Sequence, residues 1–177
     1  MTRGGTLENQ HFGSVAVVNT QGQLLAQAGD PHWMTFTRST LKALQALPFM
    51  QAHGPQHFGF STEQVALLCA SHSGEAQHVS TVQGMLDKTG LSYKALRCGC
   101  HVPGLFAAQN LTPPPDLVFD ERHNNCSGKH AGFLAYCVQH GLDLEDYLEP
   151  MHPLQQAIRR DVARVVGLDP QDLRLRI

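Results

Sequence analysis

The chain has 177 residues, 42% of them hydrophobic, which is enough for one ordinary core and suits a single domain. Its formal net charge of −2 supplies no strong basic field for nucleic acid or for an anionic membrane surface. The longest apolar runs, "VALLCA" and "FLAYCV", fall far short of the ~20 residues that a membrane-spanning helix needs. The start "MTRGGTLENQHF" carries no apolar secretory core, so a cytoplasmic protein is expected. Five cysteines at irregular spacings argue against a disulfide framework, and Cys69 and Cys137, inside apolar runs, read as buried inert thiols.

In chain order, "SVAVVNTQGQLLAQAGD" gives two short apolar runs joined at Asn19 to Gly22, the pattern of a β-hairpin. After the loop "GDPHWMTFT", the stretch from Ser39 to about Met50 reads as a helix with Leu41, Leu44 and Leu47 on one side, which Pro48 should end or kink. "STEQVALLCASHSGE" opens with a capping box, Ser61 and Gln64, and reads as a helix that stops at a polar cluster. "EAQHVSTVQGMLDKTG" has Val79, Val82, Met85 and Leu86 at helical spacing, with Gly90 placed as a C-cap. "LSYKALRCGCHVP" reads as irregular, and Pro113 to Pro115 as a connector. "HNNCSGKHAGFLAYCVQHG" runs from a polar turn into a helix that Gly141 should end, and "HPLQQAIRRDVARVVGL" is an amphipathic helix. The final "DLRLRI" alternates as a half-buried strand does, with no turn or partner strand after it, so the chain reads as truncated.

Four clusters carry chemistry. The first is Ser39-Thr40-Leu41-Lys42, the S-x-x-K spacing that puts a hydroxyl and an amine on one helix face about one turn apart. A serine hydroxyl is a poor nucleophile until a base takes its proton, and a lysine can do so only as the neutral amine. Arg38 beside it suits a bidentate grip on a carboxylate. An N-cap serine followed by a solvated lysine is the plainer alternative. The second cluster, "CASHSGE", delivers Ser71, His72, Ser73 and Glu75 with a glycine that permits close backbone approach, so it suggests a cleft or an ordinary capping loop. The third and fourth, "RCGCHVP" and "HNNCSGKHAG", hold Cys98, Cys100, His101, Cys126 and His130, all possible ligands of a borderline-soft metal, though no pair has zinc-finger spacing.

"FTRSTLKALQALPF", "CASHSGE", "RCGCHVP" and "HNNCSGKHAGF", in this order, resemble the asparaginase II family typified by the inducible rhizobial L-asparaginase, from about Gly13 onward. The resemblance implies an α/β (α+β) fold similar to serine β-lactamases and glutaminases, an antiparallel sheet with flanking helices plus a helical region. It implies hydrolysis of L-asparagine to L-aspartate and ammonia through a serine–lysine acyl-enzyme. Carried over by position, Ser39 resembles the nucleophile, Lys42 its partner and Ser71 the second serine of a paired serine–lysine arrangement, while Arg38 and His130 resemble substrate-binding residues. Cys126 and Lys129 resemble two ligands of the family's zinc site, with a third, a cysteine, expected beyond Ile177. The lysine partner of Ser71 is expected further on still. Residues 1–177 thus read as the N-terminal part of a single catalytic domain, active only with the remainder, and a homodimer is the family expectation.

Two rival readings compete. A penicillin-binding or β-lactamase enzyme would use Lys88-Thr89-Gly90 as a strand triplet, but those residues read as the end of a helix and no S-D-N motif occurs. A non-enzymatic zinc-binding module on Cys98, Cys100, His101 and Cys126 would leave Arg38, Ser39 and Lys42 unused.

Overall fold

A computed structural model describes residues 1–173, and its backbone falls into two units, 1–37 and Arg38 onward. The result is a mixed α/β chain with small antiparallel sheets and many helices.

In the first unit, β1 (Thr2–Arg3) and β2 (Thr6–Leu7) pair across Gly4 and Gly5, both at positive φ as a primed hairpin turn requires. This short pair was not legible from apolar alternation. The expected hairpin follows as β3 (Val15–Val18) and β4 (Leu24–Ala28), antiparallel with Val15 opposite Ala28 and a bulge at Val17 and Val18. Asn19 builds its turn, its Oδ1 accepting from the Gln21 and Gln23 amides at 3.0 and 2.9 Å. Every residue of both strands is exposed.

In the second unit, the expected helix from Ser39 is broken into three. Arg38–Leu41 is a 3₁₀ turn, α1 spans Lys42–Gln45 and α2 spans Leu47–Gln51. Pro48 is the physical reason for the break between α1 and α2: it has no N–H to continue α1 and its ring crowds the preceding turn, so the chain restarts with Pro48 in the first turn of α2. A short α3 (Gly54–Phe58), which sequence periodicity missed, turns Phe58 and Phe60 onto Phe49. The Ser61 capping box opens α4 (Thr62–Leu68) as expected, Ser61 Oγ accepting from Gln64 N and Gln64 Oε1 from Ser61 N.

Helix α5 (Ala76–Thr89) buries Val82, Met85 and Leu86 and ends on Gly90 at φ 72°. Lys88 lies in its last turn and donates to Gln64 Oε1 at 2.8 Å, so the Lys88-Thr89-Gly90 triplet is a helix end. After a 3₁₀ turn at Tyr93–Ala95 come irregular backbone and a short α6 (Gly104–Ala108) that sequence reading missed. Helix α7 (Ser127–His140) is buried along most of its length and ends at Gly141, and α8 (Pro153–Val166) adds Leu154, Ile158 and Val162 to the same core. All five thiols are free; Cys137 is buried as expected, but Cys69 is exposed because it caps α4 rather than facing the core. The strand expected over "DLRLRI" lies largely outside the described residues, and Asp172 closes a 3₁₀ turn.

Two glycines set the distance between α4 and α7. A Cβ on Gly128 would lie 2.5 Å from the Leu67 carbonyl oxygen, and one on Gly132 would lie 2.3 Å from Leu68 Cδ2. At Gly128 only hydrogen lets α4 lie this close to the first turn of α7, while at Gly132 the Leu68 side chain would have to move. The loop leaving α4 is thereby delivered to the turn entering α7, where His72 N donates to Asn125 O at 3.2 Å.

Candidate active site

The centre of this junction is Lys42. The residue is 2% exposed, and Nζ lies 2.7 Å from Ala70 O, 2.7 Å from Ser71 Oγ and 3.3 Å from Asn125 O. A buried amine is costly unless its protons find acceptors. Here three elements supply them: α1 carries the lysine, the loop after α4 gives a carbonyl and a hydroxyl, and the turn before α7 gives the second carbonyl.

The two carbonyls can only accept, whereas the Ser71 hydroxyl can accept or donate. An ammonium therefore gives all three of its protons, and a neutral amine gives two and receives one from Ser71. No hydrogen bond is lost when the proton crosses between Nζ and Oγ. Ser71 itself is exposed, so its hydroxyl is reachable from outside while the amine behind it is dry.

The partner of Lys42 thus differs from the S-x-x-K expectation. Ser39 is exposed in the 3₁₀ turn and is not among the hydrogen-bond partners of the amine. Arg38, also exposed, adopts φ 52°, a left-handed conformation that costs a non-glycine residue about 1–2 kcal/mol. His130 is buried, with its Nδ1 2.7 Å from the Tyr147 hydroxyl. That hydroxyl also accepts from Arg97 N at 2.8 Å, so Tyr147 ties the ring of His130 to the backbone at Arg97. Burial, with Lys129 and Lys42 nearby, pushes the His130 pKa down to about 3.

His72 was legible only as one member of a polar cluster, yet its ring organises the site. Its Nδ1 lies 3.1 Å from Gly74 N and its Nε2 2.8 Å from Ser127 Oγ, which donates to Arg122 O at 2.8 Å. Gly74 is required here: φ is 76°, and a Cβ would meet Pro103 Cβ at 2.7 Å and His123 O at 2.9 Å. Asn124 and Asn125 were unassigned by sequence reading. Asn124 Nδ2 donates to Cys98 O and its Oδ1 accepts from Cys126 N, both at 2.8 Å, tying "RCGC" to the entry of α7.

Cys126 precedes the first residue of α7, and Lys129 follows three residues later with its amine 5.2 Å from the Phe133 ring centroid. Burial lowers the Lys129 pKa; the Cys126 thiol opposes that shift and the Lys42 charge adds to it. Burial likewise pushes the Cys98 thiol up to about 12, with Cys126 a further contributor. Among the described residues no group of three or more His, Cys, Asp or Glu is arranged to hold a metal ion. Cys126 and Lys129, a thiol and a buried amine at i, i+3, are two donors of types that can bind zinc once deprotonated, fewer than the four of a closed zinc site.

The Lys42 amine and the hydroxyl of an exposed serine thus lie within hydrogen-bond distance of each other. The chain belongs to the L-asparaginase II family, whose pattern it matches over residues 1–177. Membership suggests an asparaginase-type amidohydrolase acting on a small-molecule substrate. No curated protein matches the chain at a significant level. Among the described residues no helix is long and apolar enough to cross a membrane.

Proposed function

We propose that the protein hydrolyses the side-chain amide of L-asparagine to L-aspartate and ammonia through a serine ester, with Lys42 as the base. The observation that carries this is the cradle of Lys42, two carbonyls that can only accept and the Ser71 hydroxyl, which can accept from the amine or donate to it. In this reading Ser39, one turn before Lys42 in sequence, attacks the amide carbon while its own hydroxyl proton passes to Ser71 Oγ and the Ser71 proton passes to Lys42 Nζ. The tetrahedral adduct collapses as the C–N bond breaks, and the proton returns from Lys42 to the departing ammonia. Water then adds to the ester by the same route, releasing aspartate and restoring the serine.

Arg38 is proposed to grip the substrate's α-carboxylate through its guanidinium fork, and His130 to support the substrate side from beneath. Cys126 and Lys129 would hold a zinc ion together with a further thiolate; bound there, it supplies a fixed positive charge beside the site. The resemblance also favours a β-lactamase-like arrangement, for which the β3–β4 hairpin and the helical second unit are suitable parts.

The test uses the full-length protein. Wild type quenched during turnover should carry an acyl mass on Ser39 by peptide mass spectrometry. Ser39→Ala should abolish both adduct and ammonia release, and Ser71→Ala should slow release while leaving an adduct. An adduct on Ser71 would transfer the attacking role to that residue, and turnover at the normal rate in Lys42→Met would defeat the reading.

A further inference from the structure

We infer that His72 is a positioning residue for the proton exchange between Ser71 and Lys42, acting through the Asn125 carbonyl and Ser127. The inference rests on the function proposed above. Every hydrogen bond around the ring has one allowed direction. Gly74 N–H can only donate, so His72 Nδ1 must present its lone pair. The ring proton is therefore on Nε2 and goes to Ser127 Oγ, whose own proton is committed to the Arg122 carbonyl. The backbone N–H of His72 donates to Asn125 O, the oxygen that also accepts from Lys42 Nζ.

His72 thus joins the two segments that make the cradle. Residues 70 and 71 supply a carbonyl and the hydroxyl, and residue 125 supplies the second carbonyl. The neutral ring is the only form that fits, since a second ring proton would face the Gly74 N–H. Burial, together with the neighbouring His78, Lys42, His101 and His123, also holds the ring neutral, with its pKa lowered to about 4. His78 stacks on it with ring centroids 5.1 Å apart. An error of about 1 Å in the position of a reacting group costs about 10²-fold in rate, and loss of this brace is of that kind.

The experiment measures asparagine turnover per folded site in the full-length protein. His72→Ala should lower kcat by about 10²-fold while KM moves by less than about threefold. His72→Gln, whose carboxamide N–H can still reach Ser127, should recover most of that loss. Ser127→Ala should fall in the same direction, and the double variant His72→Ala/Ser127→Ala should be no worse than His72→Ala alone, because both remove one brace. If His72→Ala does not yield folded protein, Ser127→Ala and His72→Gln carry the test. An unchanged kcat accompanied only by a lower melting temperature would reduce His72 to a structural residue. Additive losses, or a glutamine variant no better than alanine, would overturn the proposal equally. A Lys42→Met control separates the two levels: if it is inactive, those outcomes bear on His72 alone, and if it turns over normally the underlying reading falls and this one with it.

Discussion

The two units of the chain obtain order by different means. In residues 1–37 the backbone is satisfied by two hairpin ladders and by an asparagine-centred turn, while Val15, Val17, Val18, Leu24 and Leu25 all stay exposed. From Arg38 onward the order comes from side chains: Val82, Met85, Leu86 and Leu134 are removed from water entirely. Hydrogen-bond ladders can define a strand pair without building a wall. A buried amine needs the wall, and every residue proposed for catalysis, substrate or metal lies in the second unit.

The largest effect should separate the units by activity. Lys42→Met fills the volume but offers nothing to Ala70 O, Asn125 O or Ser71 Oγ, and should lower kcat/KM for L-asparagine by about 10³-fold, the usual worth of a general base. Lys42→Arg should be nearly as poor, because a guanidinium does not release its proton near neutral pH. Ammonia release measures both. A hairpin substitution such as Leu25→Thr that lost as much activity would show that the division between units is drawn in the wrong place.

Acid should act on the second unit next. His72 and His130 have pKa values of about 4 and about 3 in the folded chain, against an ordinary value near 6.5 when unfolded, with burial the first cause in each. Between about pH 6.5 and pH 4 the unfolded chain therefore binds protons that the folded one refuses. Stability contributed by these rings is present above the unfolded value and is lost as pH falls through that window. Urea midpoints should decline from pH 7 to pH 5, and His130→Gln should flatten the decline. A midpoint independent of pH over that range would show that the rings are not kept neutral by the fold.

Much of this was legible in the sequence where a local rule was strong. The Ser61 capping box, the glycine ends of α5 and α7, and the Asn19 turn each follow from chemistry within a few residues. The S-x-x-K spacing pairs Lys42 with Ser39, whereas the hydroxyl that meets the Lys42 amine comes from 29 residues away. That contact depends on how closely α4 and α7 approach, which Gly128 and Gly132 decide and which no periodicity reports. The break at Ala46 has its signal in Pro48, whereas the 3₁₀ turn at Arg38–Leu41 has none in the sequence. Asn124, Asn125 and Ser127 were hidden because their partners are backbone atoms of distant segments.

The closeness of α4 and α7 can be measured directly. Alanine gains about 1 kcal/mol over glycine inside a helix, so either replacement would be stabilising if the space were open. At Gly128 the added carbon meets a backbone oxygen that cannot turn aside, and the net result should be a loss of about 2 kcal/mol. At Gly132 it meets the end of the Leu68 side chain, which can change rotamer, and the net should lie near zero. Equal urea midpoints for the two variants would mean that the helices separate more readily than their packing implies.

The smallest effect belongs to the hairpin, and it tests the comparison from its weaker side. Val17 is 47% exposed and sits beside the bulge in β3. Val17→Thr keeps the β-branched shape that suits a strand and replaces one methyl by a hydroxyl that water can reach. In a chain of residues 1–177 its unfolding free energy should change by no more than about 0.5 kcal/mol, the range of ordinary surface substitutions. The same substitution in a longer protein carrying this sequence is a probe of burial: a loss there of about 1–3 kcal/mol, the cost of drying an unpaired hydroxyl, would show that a further segment covers this face. A loss of that size already present in residues 1–177 would contradict the exposed hairpin itself, and with it the claim that the first unit is ordered by its ladders rather than by a core.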